Sequence, residues 1–72
     1  MTDTEALRGI IAKSGLKMKY IAEKMGIVPL TLTNKIENRT EFTAGEVNKL
    51  CGILGITSFK DVAAIFFGSG VE

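Results

Sequence analysis

Covalent catalysis needs a nucleophile with a base beside it, and this sequence has little to offer. Its one thiol, Cys51, sits in an apolar stretch with Leu50 and Ile53. The chain contains no histidine to activate it. Cys51 therefore reads as a small core residue rather than a nucleophile. The same absence removes histidine metal sites, and the 8 glycines lack the spacing that cradles a phosphate. Glu23, Glu37, Glu41 and Glu46 read as solvated or helix-capping acids. No enzyme, no metal site and no cofactor is expected.

Recognition is better represented. Thr31, Thr33, Asn34, Lys35 and Arg39, with Lys17 and Lys19 upstream, are side-chain types that meet base edges and phosphates. Net charge is only +1 but uneven. Residues 1–39 hold seven Lys/Arg against four acids, giving +3, and residues 40–72 hold two against four, giving −2. This footprint is mild beside the strongly basic face of a dedicated DNA binder. A solvated, neutral distribution accounts for it equally well.

These side chains need a scaffold. With 72 residues, 46% hydrophobic and 24% charged, the chain suits one small folded domain. No apolar run approaches the ~18 residues of a membrane helix. The opening Met1-Thr2-Asp3-Thr4-Glu5 is polar and acidic, unlike a signal peptide. A lone cysteine excludes an internal disulfide and suits a reducing cytosol.

The spacing predicts five helices, over about 4–14, 18–25, 29–38, 43–54 and 58–67. Thr2 and Glu5 have the spacing of a capping box for the first, Thr43 and Glu46 for the fourth, and Ser58 and Asp61 for the fifth. Gly9 inside the first helix costs about 1 kcal/mol against Ala, so it can mark close packing. Pro29 suits the first position of the third helix, and Asn38 suits its end. Met18 and Met25 read as core fillers, and Phe42 as a plug between the third and fourth helices. Adjacent Phe66 and Phe67 cannot both be buried by one face. No segment alternates like a half-buried strand. The expected fold class is all-α, one domain over residues 1–68 with a flexible tail at 69–72.

Residues 21–36 carry the most specific pattern. Two helices meeting at a steep angle need a small residue at their approach, a residue that accepts positive φ in the turn, and apolar pins on the second helix. Ala22 supplies the first and Gly26 the second. Ile27, Leu32 and Ile36 supply the third. An αα-hairpin with no role in recognition would satisfy the same pattern.

In "YIAEKMGI", "LTNKIENRTEFTAGEVNKLCGILGI" and "DVAAIFF" the chain resembles the Cro/C1-type, or XRE, helix-turn-helix family, in particular its small phage and prophage members. The resemblance covers about residues 5–67. It implies a compact five-helix domain, a recognition helix starting near Pro29, a role in a phage-like genetic switch and a location in the bacterial host cytoplasm.

One stretch departs from the family pattern. Members that read DNA usually begin this helix with Ser or Thr, then Arg, Gln or Ser. Here Val28, Pro29 and Leu30 stand at those positions. They are expected on the face turned away from Leu32 and Ile36. An exposed apolar patch on a small domain marks a protein partner. Taken with the resemblance to small phage regulators, which implies the antirepressor role, the first expectation is an antirepressor that binds a repressor's DNA-binding domain through Val28, Pro29, Leu30, Thr31, Thr33 and Asn34. Lys17, Lys19, Lys35 and Arg39 would add charge complementarity. The alternative is a Cro-like repressor on operator DNA. Leu30 would then touch a thymine methyl and the same cations would meet phosphates. A homodimer through Phe67 and the C-terminal helix stays open.

Overall fold

A computed structural model describes residues 1–68, so the tail expected at 69–72 lies outside the described residues. Five helices follow one another: α1 (Thr4–Ser14), α2 (Met18–Met25), α3 (Pro29–Ile36), α4 (Ala44–Leu54) and α5 (Phe59–Phe66). Among the described residues there is no strand. The radius of gyration is 11.2 Å, matching the about 11 Å of a compact globule this long. No helix among the described residues is long and apolar enough to cross a membrane.

Each helix buries one apolar stripe. Leu7, Ile21, Leu32, Ile36 and Leu50 are fully enclosed, one or two from each of α1 to α4. α2 packs on α3 and α4, while α1 reaches α3, α4 and α5. Ile65 and Phe66 close the core from α5, where Phe66 meets Phe42 edge-on at 5.5 Å. Phe67 lies outside the core as the C-cap of α5. Met25 is buried and Met18 packs half-buried against the core.

The helix ends follow local chemistry in most places. Thr43 and Glu46 form the reciprocal capping box, so α4 begins one residue later than expected, with Thr43 as its cap. Ser58 likewise caps α5 and accepts from the Asp61 N–H.

Three expectations are corrected. Thr2 and Glu5 form no box at α1; Asp3 is the cap and accepts from the Ala6 N–H at 3.1 Å. Thr2 is buried instead, with its backbone engaged by the Asn38 side chain. α3 ends at Ile36 rather than 38 because Asn38 turns left-handed at φ 66. The Arg39 N–H then closes back on the Asn34 carbonyl at 2.9 Å. Gly9 marks no close packing: it is exposed, and a Cβ there would meet nothing within 4 Å.

Asn38 also joins distant parts of the chain. Its Oδ1 accepts from the Thr2 N–H at 2.9 Å and its Nδ2 donates to the Thr2 carbonyl at 2.8 Å. Thr4 Oγ1 donates to the Ile36 carbonyl at 2.6 Å, and the Asp3 N–H donates to the Ile65 carbonyl at 2.6 Å. The N-terminal residues are thereby stitched to the end of α3 and to α5.

Candidate interaction face

The face is built by the turn between α2 and α3. Gly26 takes φ 78, and the Ile27 N–H reaches back to the Ala22 carbonyl at 3.0 Å. A residue with a Cβ is strained at this φ, so glycine suits the position. Ala22 is completely buried, which keeps α2 close to its neighbours. On α3, Leu32 and Ile36 are likewise fully buried. These pins set the rotation of the helix about its axis.

With that rotation fixed, the first turn of α3 points outward. Val28 is 61% exposed and Leu30 69% exposed, with Pro29 exposed between them. Val28 is the N-cap residue, extended at φ −82 and ψ 155, and has no side-chain oxygen to cap the helix. Compared with Ser or Thr, such a start forgoes about 1 kcal/mol. Pro29 removes one of the unpaired N–H groups by having none. The result is an apolar step at the helix entrance.

The polar residues behind it are less free. Thr31, Thr33 and Asn34 are each half-buried. Asn34 Oδ1 accepts from Arg39 Nη1 at 2.9 Å, so these two side chains are paired with each other. Lys35 departs from its expected outward reach. Its Nζ lies 3.0 Å from Glu46 Oε1 and donates to the Glu41 carbonyl at 3.0 Å, and its side chain is only 12% exposed. Lys17 and Lys19 remain exposed at the start of α2, where Lys17 is the N-cap without a side-chain cap bond.

Electrostatics tie the end of α3 into the scaffold. The Arg8 guanidinium bonds Glu37 and holds its carboxyl below the ordinary range, chiefly by that hydrogen bond and then by charge. The Thr43 N–H does the same for Glu46; burial opposes it next in size, and Lys35 adds lesser help by hydrogen bond and charge. Burial pushes the Cys51 thiol up, which disfavours the reactive thiolate. Among the described residues no cluster of three or more His, Cys, Asp or Glu is placed to hold a metal ion.

The structure thus brings Val28, Pro29 and Leu30 together on one exposed step, with Thr31, Thr33 and Asn34 partly screened beside it. Sequence reasoning missed the restraint of Lys35, because Glu46 comes from another helix. It also missed the pairing of Lys24 with Tyr20, whose ammonium lies 5.8 Å above the ring. The four-residue spacing on α2 was the available signal for that contact. Compared with known proteins, the chain matches no family model, no curated sequence and no solved structure.

Proposed function

We propose that this chain is a small phage-type transcription regulator with a Cro/C1-type helix-turn-helix, and that it acts as an antirepressor. In this reading it resembles the modulator-of-repression proteins of temperate phages. It binds the DNA-binding domain of a repressor through the opening of α3, so that the operator is masked or retargeted.

The observation that carries the reading is the exposed apolar step of Val28, Pro29 and Leu30 on a helix whose rotation is fixed by buried Leu32 and Ile36. Packing among the described residues leaves the step uncovered. Apolar anchors of this size favour a desolvated protein contact over a phosphate backbone. The engagement of Lys35 with Glu46, and of Arg39 with Asn34, supports the same choice. Both cations would have to break internal contacts to serve DNA fully. Lys17 and Lys19, which are exposed, give charge complementarity at the rim.

The test uses the repressor of the switch in which the chain acts. The purified chain should form a complex with that repressor's DNA-binding domain, and Leu30→Asp should abolish it. A complex of unaltered affinity after this change overturns the mechanism. Binding of the chain alone to operator DNA, measured across a salt series, distinguishes the runner-up. Tight, sequence-selective binding with a steep salt slope would make it a Cro-like repressor instead.

A further inference from the structure

A second surface lies between α2 and α4, lined by Leu16, Tyr20, Lys24, Lys49, Gly52 and Ile53. It shares no residue with the opening of α3. Its floor is apolar, from half-buried Leu16 and Ile53. Tyr20 stands 45% exposed at its side. Lys24 lies over the Tyr20 ring, and the ammonium groups of Lys24 and Lys49 form no ion pair among the described residues. Among the described residues no acid lines the groove. Gly52 is in the interior of α4, where glycine costs about 1 kcal/mol against Ala. A Cβ there would meet nothing within 4 Å, so no internal contact requires the glycine. Its effect is to leave the backbone of α4 open to an approaching group.

We propose that this groove is a docking site for an acidic amphipathic helix of a protein partner. Apolar side chains of that helix sit on Leu16, Ile53 and the bare backbone at Gly52, and carboxylates beside them meet Lys24 and Lys49. Apart from Leu16 in the α1–α2 connection, the walls belong to two helices, which offer no sheet edge for an extended strand to join. A nucleic acid would leave the apolar floor unmatched and find only two cations, too few to track a phosphate backbone. An acidic amphipathic helix matches both the charge and the floor.

The test is a titration of the isotope-labelled full chain with a synthetic helical peptide of about 14 residues, with Leu along one face and Glu flanking it. The amides of Tyr20, Lys24, Lys49 and Gly52 should shift, and affinity should fall as salt rises. Replacing the peptide's Glu by Gln, or combining Lys24→Glu with Lys49→Glu, should weaken binding about tenfold or more. Gly52→Leu should also weaken it by filling the floor, while a helix former at this open position keeps the fold. Leu30→Asp should leave peptide binding unchanged, which separates this site from the α3 face. Shifts centred on Val28 to Leu30 would overturn the proposal. So would binding that survives the double lysine change or Gly52→Leu. Displacement of the peptide from the groove by a DNA oligonucleotide of equal charge would assign the groove to nucleic acid instead.

Discussion

Asn38 offers a sharp test of how the α3 end is held. Its side chain makes two hydrogen bonds to the Thr2 backbone, at 2.9 and 2.8 Å, and its backbone is left-handed at φ 66. Asn38→Gly removes the two bonds without straining the backbone, because asparagine and glycine both accept a left-handed φ. Each such bond contributes about 0.5–1.5 kcal/mol net, so the loss should be about 1–3 kcal/mol. Asn38→Ala removes the same bonds and places a Cβ at a left-handed φ, which adds about 1 kcal/mol. A domain this small has only about 3–5 kcal/mol in all. Asn38→Ala should therefore be close to unfolding at ambient temperature, and Asn38→Gly should remain folded with a reduced midpoint. Each kcal/mol lowers Tm by about 4–8 °C in a domain of this size. Urea and thermal melts of the three proteins provide the measurement. Equal stability of Asn38→Gly and wild type, within about 0.5 kcal/mol, would refute the stitch. A glycine variant less stable than the alanine variant would refute the role given to φ.

Three further outcomes follow from local geometry. Gly9→Ala, on an exposed helix interior with open space around it, should raise stability by about 0.5–1 kcal/mol in a urea melt; a loss would mean that Gly9 is packed. Leu30→Asp should leave stability within about 0.5 kcal/mol of wild type because Leu30 is 69% exposed, so that any lost binding is a loss of contact and not of fold. Glu37 and Glu46 are held below the ordinary glutamate value of 4.5, Glu37 by Arg8 and Glu46 first by the Thr43 N–H. Between the folded and ordinary values the unfolded chain binds more protons. Their stabilisation is thus complete above 4.5 and is lost as pH falls below it through the depressed values. The melting midpoint should drop there, and less so in Arg8→Gln; an identical acid profile for that variant would remove Arg8 from the account.

Much of this architecture is legible in short-range patterns. The Thr43–Glu46 box, the turn at Gly26 and the apolar spacing of Leu32 and Ile36 are decided by residues within a few positions of one another. What escapes is set by partners far along the chain. Thr2 and Glu5 have the right spacing for a capping box, yet Asn38 captures the Thr2 backbone across 36 positions and leaves the cap to Asp3. Lys35 reads as an outward cation on α3 until α4 brings Glu46 to within 3.0 Å. Gly9 reads as a packing mark because a helix-interior glycine carries a cost, and only the surroundings reveal that nothing approaches it. The apolar step was legible as three residue types; its exposure depended on pins that only tertiary packing could confirm.

The two ends of α3 differ in a way that bears on recognition. Its C-terminal end is held by the left-handed turn at Asn38, by Thr4 on the Ile36 carbonyl and by Lys35 on Glu46. Its N-terminal end has an uncapped valine and two further exposed apolar groups. A Ser or Thr at position 28 would stabilise the helix start by about 1 kcal/mol, a sizeable share for so small a domain. In the proposed reading, valine at this position gives up local stability for an apolar contact area. Because the far end is anchored, Val28, Pro29 and Leu30 are presented by a helix already fixed in orientation. In the proposed complex little conformational freedom would then be lost on binding, and the buried apolar area would count more fully toward affinity. A threonine variant at position 28 puts this to a direct measurement. Val28→Thr should raise stability by up to about 1 kcal/mol and weaken the proposed repressor complex. A variant that gained both stability and affinity would mean that the bare helix start serves no contact.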